Sequence, residues 1–180
     1  MKWVLVITGV IVALVLIVLL VGVSLPRDHV AAMSARIAAA PDSVWHALTD
    51  PAGFPAWRRD VQRVELLPPT ATGPSWREHS RMGAITYAVD VYEPPRRLVG
   101  RIADVGLAFG GSWEYRIAPD GPSASRVTII ERGFVYNPLF RFMSRFVMGH
   151  TATIDAYLRA LGRRFGTETT PEVVATTFSP

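Results

Sequence analysis

Apolar side chains run almost unbroken from Trp3 to Leu25, with no charge among them. About 20 such residues cross the hydrocarbon core of a bilayer as a helix, and a helix pairs its own backbone groups in lipid. Residues 1–25 therefore read as a transmembrane anchor, with 26–28 as a linker broken by Pro26. His29–Ala39 then reads as a strand. Ala40-Pro41-Asp42 opens a helix, since proline suits the first turn and Asp the positive end of the helix dipole. Val44, Trp45 and Leu48 give that helix its apolar stripe, and Ala52–Arg59 reads as a second short helix.

The period changes to two from Val61 onward. Val61–Leu67, Ser75–Arg81, Ala84–Glu93, Arg97–Asp104, Gly111–Ala118 and Arg126–Tyr136 all read as strands, most of them alternating between apolar and polar, separated by Pro- and Gly-rich turns. Trp113, Tyr115 and Ile117 share one face, with Ser112, Glu114 and Arg116 opposite. Such strands bury one face and wet the other, as in an antiparallel sheet covered on one side. Asn137-Pro138 caps a final helix that no proline interrupts before Phe165. About 28 helical residues would span some 42 Å. Leu139, Phe142, Met143, Phe146, Ile154, Tyr157, Leu161 and Phe165 fall on its apolar stripe. Residues 167–180 are Thr-rich and aperiodic, and read as a flexible tail. The fold class is α+β, with residues 29–166 as one domain.

A cleaved secretory signal competes with the anchor, because Gly22-Val23-Ser24 is a small-x-small triplet. The apolar run exceeds the roughly 7–15 residues of a signal core, which favours retention. Positive charges flank both ends about equally, so the orientation signal is balanced. A very short leading tail before a long domain leans toward an extracytoplasmic domain. The chain has no cysteine, which excludes disulfides, thiol nucleophiles and zinc–thiolate sites. Lys2 is the only lysine, so the domain has no Schiff-base or P-loop lysine. The arginines are scattered among acids, and no dense basic stripe suggests nucleic acid. An arginine-rich, lysine-poor composition suggests a GC-rich bacterial genome.

Several phrases carry a family resemblance. They are Ala40-Pro41-Asp42-Ser43-Val44-Trp45-His46-Ala47-Leu48-Thr49-Asp50, Trp57-Arg58-Arg59-Asp60-Val61, Val91-Tyr92-Glu93-Pro94-Pro95-Arg96-Arg97-Leu98, Gly111-Ser112-Trp113-Glu114-Tyr115 and Glu131-Arg132-Gly133. With the order strand, two short helices, six strands and a C-terminal helix, the chain resembles the START / polyketide cyclase–dehydrase superfamily (SRPBCC). The resemblance implies a helix-grip fold, in which a curved antiparallel sheet wraps a long C-terminal helix. It also implies an elongated apolar cavity for lipids, sterols, polyketides or similar molecules, and in a minority of members cyclase or aromatase chemistry. Shared fold does not transfer chemistry, so the site must be argued from this chain.

His150 is the candidate with the sharpest chemistry. On a continuous helix it lies between Phe146 and Ile154 on the apolar stripe. There it would be either a ligand contact and acid–base group or a core histidine paired for structural reasons. Trp57, Trp76, Tyr87, Trp113, Tyr115, Phe142 and Phe146 are the candidate ligand-binding residues, against a plain aromatic core as the alternative. His79 falls opposite Trp76 and reads as solvent-facing, while His29 and His46 read as surface residues. Glu131 reads more readily as an exposed cross-strand partner than as an inward one. The glycines of 106–111 lack dinucleotide-fingerprint spacing and suit a turn or lid. No His/carboxylate spacing suggests a metal, and no cofactor is implied. The expected function is membrane-anchored binding or transfer of a hydrophobic, lipid-like molecule. The alternatives are a cyclase/dehydratase-like enzyme using His150, with Tyr87 or Tyr115, and a non-catalytic interaction module with a filled core.

Overall fold

The computed structural model describes residues 2–175. Helix α1 covers Lys2–Ser24, a length of about 35 Å at 1.5 Å per residue, enough to cross a bilayer. Strand β1 (Asp28–Ile37) follows, then α2 (Pro41–Thr49) and a short 3-10 turn over Pro51–Ala56. Next come β2 (Arg63–Leu67), β3 (Ser75–Ser80), β4 (Gly83–Glu93), β5 (Arg97–Ile102), β6 (Phe109–Pro119) and β7 (Ser125–Val135). Each lies within a few residues of the strand its alternation predicts.

The strands form one antiparallel sheet in the order β2-β3-β4-β5-β6-β7-β1-β8, where β8 is Glu172–Val173. A register shift at Val89/Val91 bends β4 and adds to the curvature. The pairings Trp76↔Tyr87, Gly100↔Trp113, Tyr115↔Ile129 and Ala31↔Glu131 place these side chains on the inner face. On the outer face, the nearly buried Glu114 carboxylate bonds Arg97, Arg116 and Arg132 at 2.8–2.9 Å. Burial alone would raise its pKa, but the hydrogen bonds from Arg116, Arg132 and Arg97 lower it to about 2.

The expected 28-residue helix is not continuous. It begins as α3 (Pro138–Met143), with Asn137 Oδ1 accepting from the Leu139 and Phe140 amides. A π turn spans Ser144–Met148, Gly149 adopts φ 75°, and α4 starts at Ala152 and runs to Arg164. Only α4 is gripped by the sheet. Its Ile154, Leu158 and Leu161 are fully buried with Ile37, Val44, Val127 and Ile129. The α3 segment leaves the sheet and packs on the end of α1. An ideal Cβ on Gly22 would sit 2.1 Å from the Pro138 carbonyl oxygen, so only glycine permits this approach. Arg141, 8 % exposed, donates to the Leu25 and Tyr136 carbonyls at 2.8 and 3.2 Å. It thereby ties the carbonyl just past the end of α1 to the one that precedes α3.

Residues 167–175 are tied down, against the expectation of a loose tail. Thr169 Oγ1 donates to the Arg36 carbonyl at 2.6 Å, Arg159 donates to the Thr169 carbonyl, and β8 pairs with β1. The outer edge of β1 supplies backbone partners that composition cannot reveal. The remainder of that stretch, 176–180, lies outside the described residues.

Candidate functional site

The inner face of β3–β6 is aromatic because alternation along each strand delivers its large residues to one side. Trp113 and Tyr115 meet Tyr157 of α4 with ring centroids 5.5 and 5.7 Å apart. Trp57 meets Tyr157 edge-on at 5.4 Å, and Trp76 stacks on Tyr87 at 5.7 Å. Trp113, Tyr115, Tyr87 and Trp57 nonetheless keep part of their surface accessible. Beside Trp113 there is room. A side chain begun at Gly100, beside Trp113 on the inner face, would meet no atom within 4 Å. Burial raises the Tyr115 phenol well above its ordinary value and pushes Tyr157 up to about 12, so both stay neutral donors at physiological pH.

One ion pair crosses this aromatic floor. Arg58 lies 5.2 Å from the ring centroids of both Phe54 and Tyr157, and donates to Glu78 at 2.9 Å. Glu78 also accepts from the Trp76 indole N–H at 2.9 Å. Trp76, 7 % exposed, is thus fixed by packing and by that bond.

A second polar group sits where α3 and α4 separate. His150 stacks on His29 with ring centroids 4.3 Å apart, and His29 Nε2 lies 3.4 Å from Glu131 Oε1. Glu131 Oε2 is buried with no hydrogen-bond partner. Trp113 pairs with Glu131 across the β6–β7 ladder, so the cluster adjoins the aromatic floor. Burial, then the charges of His29 and Arg145, lower the His150 pKa below its ordinary 6.5, against an opposing pull from Glu131. A neutral imidazole beside a carboxylate with a free oxygen can accept or relay a proton, or hold a polar head group. Among the described residues, no three His, Asp or Glu side chains converge as metal ligands.

His150 thus stacks on His29 from a break between α3 and α4 rather than from a continuous helix. His29 and Glu131 are not surface groups: they share the inner face with Ala31, Met33, Val127 and Ile129. Their strand alternation carried that signal, because His29 is two residues from Ala31 and Glu131 two from Ile129. His79 lies on the outer face, bonded to Arg63, and His46 is exposed, both as expected. Phe146 does not line the inner space: it is 59 % exposed and touches Phe142 at 5.0 Å. The break at Gly149 rotates the segment before it away from the sheet. Arg58, Glu78 and Tyr157 joined the site only through tertiary contact. A cleft of about 700 Å³ opens beneath the 103–108 loop, lined by Arg101, Ser112, Arg132 and Phe134, and reaches His29.

Comparison with known proteins places this geometry. A family model described as polyketide cyclase / dehydrase and lipid transport matches residues 28–166. No curated protein matches the chain. Among solved structures, a START superfamily protein from Mycobacterium smegmatis is 18% identical with a TM-score of 0.62, covering 77% of this chain and 97% of its own. The Zhui aromatase/cyclase from a Streptomyces species is 15% identical with a TM-score of 0.62, covering 77% and 94%. Norcoclaurine synthase from Thalictrum flavum, in complex with dopamine and hydroxybenzaldehyde, is 12% identical with a TM-score of 0.59, covering 81% and 90%. These likenesses concern the fold. The family match spans most of the chain, and so the protein belongs to the polyketide cyclase / dehydrase and lipid transport family, with the helix-grip fold.

Proposed function

We propose that this protein binds a hydrophobic, lipid-like small molecule between the inner face of β4–β6 and α4, while α1 holds it in a membrane. The observation that carries the reading is the open space over Gly100, which pairs with Trp113 on the aromatic inner face. Apolar walls with a few convergent polar groups suit a ligand that buries its body and anchors one head group. The His150–His29–Glu131 cluster supplies that polar end. Helix α1 has the length and composition to retain the domain beside its source of ligand.

The test uses the full chain in nanodiscs with a photoactivatable diazirine palmitate. Crosslinks on peptides carrying Tyr87, Trp113 or Tyr115 are expected. Gly100→Phe should cut that labelling by about tenfold, because a ring fills the space without forcing the backbone. Crosslinks confined to α1 would retain the anchor and remove the internal site, leaving a filled-core interaction module. No crosslink on α1 would remove the anchor.

The same cluster favours a second reading, acid–base catalysis of the cyclase/dehydratase kind on the bound molecule. A carboxylate–imidazole pair at the end of an apolar space has the groups for enolisation or dehydration.

A further inference from the structure

The strand register gathers one set of turns at a single end of the sheet. Asp28 pairs with Phe134, Phe109 with Val135, Tyr87 with Ile102, and Ser80 with Gly83. The β3–β4 hairpin, the 103–108 loop, the β7–α3 turn and the start of β1 therefore share that end. Helix α1 leaves from it as well, ending at Ser24 just before β1. The same end carries apolar side chains in the open. Met82 is 99 % exposed and Val105 97 %, each at the tip of its turn, while Phe140, Phe146 and Val147 project from α3 and the π turn. Arg27, Arg81 and Arg145 stand exposed among them.

We infer that this end of the domain docks onto the surface of an anionic bilayer, the one that α1 enters, with Met82, Val105, Phe140, Phe146 and Val147 inserted at the headgroup level. The inference rests on the reading of α1 as a membrane anchor. Three observations select a bilayer as the occupant. The patch surrounds the exit of an apolar helix of membrane-spanning length. The Gly22–Pro138 contact and the Arg141 bonds to the Leu25 carbonyl seat α3 at the last turn of α1, which is the depth of the interface. Exposed apolar tips interleaved with arginines match an interfacial surface, where apolar groups insert and cations meet anionic headgroups. Docking in this orientation also points the α3–α4 break, with His150, toward the lipid. The inner space then opens at the membrane.

The absence of cysteine from the sequence makes the test direct. Single nitroxide labels go on Met82→Cys, Val105→Cys and Val147→Cys, on Ser123→Cys at the opposite end, and on Leu14→Cys within α1. Each full chain is placed in nanodiscs of phosphatidylcholine and phosphatidylglycerol at about three to one. The readout is accessibility to oxygen relative to a nickel chelate. All five positions are exposed, so the labels leave packing intact. The ratio at 82, 105 and 147 should exceed that at 123 by about threefold and fall toward it in pure phosphatidylcholine as headgroup attraction is lost. A lipid-like ratio at 14 with water-like ratios at 82, 105 and 147 overturns the docking and leaves the anchor standing. A water-like ratio at 14 overturns both.

Discussion

His150 shows how much a residue's chemistry depends on its neighbours. Three titratable or charged groups bear on it: His29 from β1, Glu131 from β7 and Arg145 from the π turn. Burial, His29 and Arg145 favour the neutral ring, and only Glu131 favours the charged one. In the unfolded chain the same imidazole charges near 6.5. Protons therefore bind the unfolded state more readily, and stability falls as pH drops from that value toward the lowered one. Glu131→Gln removes the only raising influence and should shift the His150 titration lower still, read by NMR of the imidazole. An upward shift would mean that the carboxylate does not face the ring. His150→Ala removes part of the polar end and should weaken palmitate labelling under the binding reading, and under the enzymatic one it should abolish turnover. The sequence marks His150 as singular because it is the one histidine on an apolar helical stripe. His29 and Glu131 read as exposed because a lone polar side chain on a strand fits a wet face equally well, and only their meeting across 102 residues shows otherwise.

At the scale of elements, the instructive case is the split C-terminal helix. Asn137-Pro138 and the apolar periodicity through Phe165 are sound local signals, and both α3 and α4 form where they indicate. The break falls at Gly149, whose φ of 75° and ψ of 152° belong to a region that other residues rarely enter. An isolated glycine in a helical pattern is ambiguous, since the local cost of tolerating it is only about 1 kcal/mol. Two different partners decide the matter: the sheet claims α4 and α1 claims α3. Gly149→Ala meets no steric contact at its Cβ, so its cost is purely conformational. A loss of about 2 kcal/mol in denaturant unfolding is expected. An unchanged stability would show that the two helices can fuse into one at little cost.

For the whole molecule, the joint between α1 and the domain is the contact on which the proposed membrane orientation rests. Arg141 is nearly buried and spends its guanidinium on the Leu25 and Tyr136 carbonyls. Arg141→Met keeps much of the packing volume and removes the donors, leaving those carbonyls without partners. The linker should then open more often. Tryptic cleavage after Arg27, whose carbonyl accepts from the Val135 amide, should speed up by about tenfold in nanodiscs. Unaltered cleavage would mean that the α1–α3 seat does not depend on this arginine.

The sequence by itself determined the elements and the class of fold. Period-two alternation, proline and glycine turns and helix caps act within a few residues, and the strands and α2 lie close to where these signals put them. It also determined which strand faces are aromatic. What only the tertiary structure decided depends on partners distant along the chain. The Arg58–Glu78 pair, the His29–Glu131 contact across 102 residues, the tying of residues 167–175 to β1 and the departure of α3 toward α1 are of this kind. Local propensity cannot rank such contacts, because their energy comes from surfaces that meet only after the sheet has curved around α4.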